Sequence, residues 1–517
     1  MTANKEIILV NLPPARNYKY ENSGSLYPAT GIMVIGAILK KRKFSVKIVD
    51  GALIQEYEKR VLESISERTM FVGFSAMTSQ IVMGYELAKK IKEKWPRLYI
   101  VFGGVHSTLY PEQTVSNPYI DIAVINEGSR TVLEIIEHIE GHVQLEAIKG
   151  ISFCDSEGNV KINIPRDLDD ISEIPHFDFE LLDLPRYLNA RSVYERELNL
   201  DGSKNIRLMP ILTGLGCCFR CAFCINVILK RHYRARSAAS IVEEIKRLQS
   251  RYGANAFLFL DEDFCINKKR LADFIKLAKD ENIKFLARIW ARVSYFRQDS
   301  FKNILPDMEK IGIKSIAMGA ESGSQKMLDY LHKDIKCEDI KNAAVELSKF
   351  NITPRFSFMT GMDGENKDDT ISTYRLCGEL LKINPITDIA GPFTFRYYPG
   401  SPIFNQGMKR FNISLSKSIE DWKDSLNDDG SLIVDTTRLI WPGFSKYSES
   451  MNSYINIYLH KLNRLSLRNR FLVKIIRKLV LWRLMHGEHC YAIDYYTLRL
   501  LAKLETFLLK LYRSIYK

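Results

Sequence analysis

The chain has 517 residues, 46% of them apolar, and a formal net charge of +13. That length calls for about two to four domains, with apolar residues enough for their cores. Nine cysteines spread through such a chain are no disulfide framework and suit a reducing cytoplasm, and no apolar run of about 18 residues is present to span a bilayer. Beyond residue 450, thirteen Lys and Arg face only Glu488, Asp494 and Glu505. The excess charge therefore sits in the tail and does not imply a basic channel for nucleic acid.

The opening MTANKEIILVNLPP lacks a charged leader followed by a long apolar stretch, so it reads as a first strand rather than a signal peptide. Strands are expected at 6–10, 45–49, 71–75, 98–102 and 122–125, with helices over 31–40 and about 79–94. Strands alternating with helices imply a doubly wound parallel sheet over residues 1–140. Ligands of such sheets bind beyond the carboxyl ends of the strands. Those ends fall at Asn11–Pro14, Asp50, Ser75–Ser79, Gly103–Thr108 and Asn126–Ser129.

Residues 141–205 read as a connector, with a hairpin turning at Asp155–Asn159. A second strand–helix series runs over 206–403. Its six strands are expected at 207–212, 256–260, 284–289, 314–318, 355–359 and 389–396, and Ser237 can cap a helix reaching about Tyr252. Six units make a partial TIM-type barrel, whose active residues sit at the carboxyl ends of strands. Residues 404–517 read as a helical C-terminal region. There Arg470, Lys474, Arg477 and Lys478 form a basic stripe opposite Phe471, Leu472, Ile475, Ile476, Leu479 and Trp482. Such a helix either packs on its own protein, its lysines snorkelling, or lies on an anionic membrane surface.

The first barrel strand delivers the loop TGLGCCFRCAFCIN, residues 213–226, with Cys217, Cys221 and Cys224 in C-x3-C-x2-C spacing. Thiolates so spaced can share an iron–sulfur cluster, and three protein ligands on four irons leave one iron open. Phe219, Ala222 and Phe223 are apolar and can keep water away. A zinc site would want a fourth ligand, commonly from a second C-x2-C, which is absent. Cys218 reads as a packed thiol.

At this loop the chain resembles the radical S-adenosylmethionine family. The resemblance implies a 4Fe–4S cluster on the three cysteines. S-adenosylmethionine would chelate the open iron and yield a 5′-deoxyadenosyl radical. By motif position it implies contacts to S-adenosylmethionine from Phe223, from Asp261 and Asp263 after the second strand, and from Glu321 after the fourth. Arg292, just beyond the third strand, could pair with the methionine carboxylate. The bland alternative for each carboxylate is a cap or a solvated pair. Where the family reads G-x-P-G-E, this chain has Gly361-Met362-Asp363-Gly364-Glu365, so the turn there can differ.

Four N-terminal pieces, YPATGIMVIGAILKKRKFSVKIVD, GFSAMTS, FGGVHSTLYPE and INEGSRT, resemble the cobalamin-binding domain that precedes the barrel in one branch of that family. A generic nucleotide- or flavin-type sheet is the plain alternative. The resemblance implies cobalamin contacts from Ser75, Thr78, Gly103, Gly104, His106 and Glu127. The D-x-H-x-x-G motif that carries a cobalt-binding His elsewhere is missing, because Gly-Ala-Leu-Ile follows Asp50. The lower face of cobalt is then expected to lack a protein histidine, and His106 to serve a tail-binding loop.

Together the resemblances imply a cobalamin-dependent radical S-adenosylmethionine enzyme. The expected activity is methylation of an unactivated carbon of a small-molecule or lipid-like substrate through methylcobalamin. An external donor of the flavodoxin or ferredoxin type would supply electrons, and no nucleic acid is expected as partner. The expected place is the cytoplasm, with peripheral contact at the inner face of a membrane as the tail's second reading. Radical oxidation, cyclisation or ring rearrangement with the same cofactors is the alternative chemistry. A non-catalytic corrinoid sensor would not need the cysteine triad.

Overall fold

The computed structural model describes residues 5–14, 28–189, 198, 205–397, 399–411, 416–425, 441–461 and 470–487. They form two compact units. The first comprises 1–290, 310–314 and 396–434; the second comprises 291–309, 315–395 and 435–517.

The first unit opens with β1 (Glu6–Asn11), α1 (Thr30–Lys41), β2 (Ser45–Asp50), α2 (Tyr57–Ser64), β3 (Thr69–Ser75), α3 (Ile81–Lys94), β4 (Tyr99–Gly103), α4 (Val105–Leu109), α5 (Pro111–Val115), β5 (Ile122–Val124) and α6 (Thr131–Ile139). Strands β1–β5 lie parallel in the order β2-β1-β3-β4-β5. The two-residue period of a strand sends alternate side chains to opposite faces. Ile8 and Val10 enter one core with Val61, Leu87 and Ile91 of α2 and α3. Ile7 and Leu9 enter the other with Ile32, Leu39, Ile135 and Ile136 of α1 and α6. This is the doubly wound arrangement expected. The sheet does not stop near residue 140, however. β6 (Ile151–Cys154) and β7 (Val160–Ile162), the expected connector hairpin, extend it antiparallel from β5. Ile151 and Phe153 are buried in its second core.

Residues far along the chain complete the first core. Ile419 and Trp422 lie within it, and the Trp422 ring packs on His106 and Tyr110. Its indole N–H donates to Gln113 Oε1 at 2.7 Å.

The first unit continues with β8 (Leu208–Ile211), a two-stranded ribbon of β9 (Gly214–Leu215) and β10 (Arg234–Ala235), α7 (Ala238–Tyr252), β11 (Ala256–Phe259), α8 (Lys268–Asp280) and β12 (Leu286–Trp290). β8, β11 and β12 pair in parallel. The Ser237 side chain accepts from Ser240 N–H and caps α7 as expected.

The second unit holds the rest of the strand–helix series: β13 (Ile313–Glu321, from Ser315 on), α9 (Cys337–Leu347), β14 (Thr353–Thr360), α10 (Lys367–Ile383) and β15 (Asp388–Thr394). Its three strands are also parallel, so the six barrel strands all form. Helices α11 (Phe444–Asn456) and α12 (Arg470–His486) follow. On α12 the structure corrects the expected apolar face. Val473, Val480 and Leu484 are buried, whereas Ile475 and Trp482 are 47% and 45% exposed. The contact point on α10 decides this. A Cβ at Gly378 would stand 2.9 Å from Leu484 Cβ, so glycine there lets α12 approach. Arg477, expected on the solvated stripe, lies over the Tyr458 ring at 5.7 Å. Residues 462–469 and 488–517 of the expected helical tail, with the side chains of Arg470, Phe471 and Leu472, are outside the described residues.

Candidate functional site

The cysteine loop hangs between β9 and β10. Cys217 N–H donates to Arg231 O at 3.2 Å and Arg236 N–H to Thr213 O at 2.9 Å, so the loop is closed at both ends. Gly216, at φ 78°, is required by close approach: a Cβ there would lie 2.3 Å from His232 O. Cys221 is buried, Cys217 and Cys224 are half-buried, and Cys224 N–H donates to Cys221 O at 3.0 Å. Phe223 is half-buried on the same turn. Burial pushes the Cys217 thiol up to about 11, with the Asp263 carboxylate adding to it. Cys218 is exposed, not packed as expected. Among the described residues, no three His, Cys, Asp or Glu side chains close around a single-ion position.

The acidic triplet after β11 divides its labour. Asp261 accepts from Thr213 N–H at 3.1 Å and from Thr213 Oγ1 at 2.6 Å, and pairs with Arg270 at 3.2 Å. Arg270 itself donates to Thr213 O. Asp261 thus anchors the strand end that delivers the cysteines. Asp263 is buried and accepts from Cys265 N–H at 2.9 Å. Glu262, not singled out from the sequence, accepts from Gly216 N–H at 3.1 Å, and burial raises its carboxyl. Its neighbours in sequence hid it, because all three acids lie in the turn beyond the strand, where no periodicity assigns a direction to a side chain.

In the second unit Glu321 ends β13 at φ 63°, beside a register shift between Gly319 and Glu321. The left-handed conformation is costly for a residue with a Cβ. It turns the carboxylate onto Lys333 Nζ at 2.7 Å, both side chains buried. A Cβ at Gly319 would stand 2.1 Å from Glu321 Oε1, so only glycine leaves room for the pair. Arg292 donates to Lys333 O. Arg292 and Glu321 therefore meet through Lys333, a residue the sequence reading missed. The turn after β14 carries the Gly361–Glu365 segment. Gly361 and Gly364 are both left-handed, and buried Glu365 accepts Met362 N–H at 2.9 Å. Burial pushes the Glu365 carboxyl up to about 7.

A cavity of about 360 Å³ lies in the first unit, between the β1/β3/β4/β5 face and helices α1 and α6. Ser75, Gly103, Gly104 and Glu127 line it at the strand ends, and Leu215, Arg231 and Glu262 of the cysteine-loop region line it too. Its walls are mainly aliphatic, and Asn126 adds a side-chain Oδ1 that is buried without a partner. An apolar slot with an orphaned acceptor fits cobalamin, whose base is apolar and whose corrin ring carries amide donors. Thr78 and His106 are not in this wall. His106 is fully buried between Tyr110 and Trp422, and its Nδ1 lies 3.3 Å from Thr78 Oγ1. Neither residue reaches the cavity as expected, because α4 turns the imidazole into the opposite core. Desolvation lowers the His106 imidazole to about 3. Asp50, where a cobalt-ligand motif would begin, is taken up by Tyr187 Oη, Asn11 Nδ2 and Ala52 N–H.

Glu127 has a second commitment. Arg234 grips it with both guanidinium nitrogens, at 2.8 and 2.5 Å, and also donates to Asp169 O at 2.5 Å. Burial would raise the Glu127 carboxyl, but Arg234 holds it below the usual range.

Comparison with known proteins supplies independent findings. Residues 211–377 match the family model described as the radical SAM superfamily, and residues 20–136 that of the B12 binding domain. An uncharacterised methyltransferase of Pyrococcus horikoshii is 27% identical over 77% of this chain and 82% of its own. The anaerobic magnesium-protoporphyrin IX monomethyl ester cyclase of Cereibacter sphaeroides is 26% identical over 75% of this chain, which spans 61% of the cyclase. The structure of OxsB, a cobalamin-dependent S-adenosylmethionine radical enzyme with aqua-cobalamin and S-adenosylmethionine bound, has the same fold. It superposes with a TM-score of 0.67 at 17% identity, covering 93% of this chain and 72% of that one.

Proposed function

We propose that this chain, which belongs to the radical S-adenosylmethionine superfamily and carries a B12-binding domain, methylates an unactivated carbon of a small-molecule or lipid-like substrate. Its cofactors are a 4Fe–4S cluster, S-adenosylmethionine and cobalamin. When bound, they supply a radical that removes a hydrogen atom and a carrier that donates a methyl group.

One observation carries the reading. The cavity that fits cobalamin is walled on one side by B12-domain strand ends and on another by residues flanking the cysteine loop. Methyl carrier and radical source would stand on neighbouring walls of one site, an arrangement that favours keeping water from the radical. In this reading Cys217, Cys221 and Cys224 hold the cluster. Asp261 and Arg270 hold the strand end behind it. Phe223 and Asp263 flank S-adenosylmethionine in the first unit; within the second unit Arg292, Lys333 and Glu321 form a buried charged group of their own. Ser75, Gly103, Gly104, Glu127 and Asn126 hold cobalamin.

As an enzyme of this superfamily, the protein acts on a substrate and needs a reductant. An external flavodoxin or ferredoxin is the proposed donor and the cytoplasm the proposed place. No helix of the described residues is long and apolar enough to cross a membrane.

The first step of the test does not need the substrate. Reconstituted protein, incubated anaerobically with cob(I)alamin and methyl-labelled S-adenosylmethionine, should place label on cobalamin. Mass spectrometry of a lipophilic extract added afterwards should then show a labelled product. The cyclase relative favours a second reading, ring closure without methyl transfer. Formation of 5′-deoxyadenosine with no labelled cobalamin or product would decide for it.

A further inference from the structure

We propose that Arg234 is a positioning residue that couples the cobalamin cavity to the cysteine loop, so that occupation of either is felt at the other. The proposal rests on cobalamin entering the cavity described above.

Glu127 follows β5 and lines that cavity. Both its oxygens are held by Arg234, and the two side chains are 14% and 11% exposed. Bidentate pairing with a planar guanidinium fixes orientation as well as distance. Arg234 stands on β10, directly opposite Leu215 of β9, two residues before Cys217. The segment leading into β10 supplies Arg231 O, which accepts from Cys217 N–H. Asp169 of the connector closes the network. Its N–H donates to Glu127 Oε2 at 3.2 Å, its O accepts from Arg234, and its carboxylate pairs with Arg130. One cavity wall and one cluster loop thus share a single buried ion pair.

A displacement of Glu127 by a ligand must move Arg234 or break the pair, and an ion pair this buried resists breaking. Moving Arg234 shifts the ribbon that fixes Cys217. By linkage the effect is reciprocal: a loop ordered by its cluster presents Glu127 in one position only, and cobalamin then binds to a wall already formed. Leu215 and Arg231 also line the cavity and offer a direct route from ligand to loop. Variants at 234 and 127 leave that route intact and separate the two.

The experiment is titration of the full-length protein with hydroxocobalamin, followed by tryptophan fluorescence, in cluster-loaded and cluster-free forms. In the wild type the loaded form should bind on the order of fivefold more tightly or better. In Arg234→Met and Glu127→Gln the ratio of the two affinities should fall to about one, whatever happens to each affinity alone. Arg234→Lys, which keeps the charge but not the fork, should fall between. A buried ion pair acting only as glue would lower stability without changing the ratio. A wild-type ratio of one overturns the proposal, and so does a wild-type ratio retained in Arg234→Met and Glu127→Gln. Should Arg234→Met fail to fold, retention of the ratio in Glu127→Gln and Arg234→Lys overturns it equally. Wild-type protein that binds no hydroxocobalamin in either form overturns the cavity assignment itself.

Discussion

His106 shows how burial overrides residue type. A histidine after two glycines at a strand end suits a cofactor loop, yet its ring is fully buried between Tyr110 and Trp422. Its imidazole is lowered to about 3 by desolvation, which fixes the sign of a pH effect. As pH falls below about 6.5, the unfolded chain takes up a proton that the folded chain refuses. Stability should therefore decline from pH 6.5 down to about 3, by ~1.4 kcal/mol per pH unit at most for this group. Denaturant unfolding of the full chain at pH 7 and pH 5 should show the loss, and His106→Phe, which keeps the ring, should reduce it. The cob(II)alamin electron paramagnetic resonance spectrum should be the same in both proteins. A pH-independent wild type, or a spectrum altered by the substitution, would contradict this placement.

At the level of elements, α12 is the instructive case. Its sequence offers a broad aliphatic arc, and periodicity does not say which part of that arc is covered. Gly378 on α10 selects the line through Leu484, and Val473 and Val480 follow at helical spacing. Leu484→Ala should then cost about 2–5 kcal/mol, the range for a deleted core leucine. Trp482→Ala should stay within about 0.5 kcal/mol. Both are read from chemical denaturation. The exposed Ile475 and Trp482, with Lys474 and Lys478 beside them, keep the membrane-surface reading testable. The double variant Ile475→Ser, Trp482→Ala should lose any salt-sensitive binding to anionic liposomes that the wild type has. If Trp482→Ala proves the more destabilising of the two single variants, the helix is seated on its other face.

For the molecule as a whole, the lesson concerns where the N-terminal fold ends. Strand periodicity stops being informative near residue 140, but the sheet runs on through β6 and β7, and Trp422 seals a core begun by Ile8. A fragment of residues 1–140 would expose the β5 edge and leave both cores short of apolar partners. It should be poorly soluble and fail to retain cobalamin on gel filtration, whereas the full chain should retain it. A soluble, cobalamin-binding 1–140 fragment would show that β6, β7 and Trp422 are dispensable.

The sequence by itself determined the elements and the chemistry. Both depend on local pattern: alternation in strands, the Ser237 cap, and the C-x3-C-x2-C spacing of Cys217, Cys221 and Cys224. The parallel order followed because strands alternating with helices have few ways to pack. The tertiary structure alone decided which polar groups are spent on one another. Asp261 reads from the sequence as a ligand at a strand end, and only the arrival of Thr213 and Arg270 makes it an anchor. Glu127 meets Arg234 across more than a hundred residues, and Glu321 turns to Lys333 because a bulge re-aims it. A carboxylate's role is set by the nearest cation and by burial, and both are properties of the folded chain.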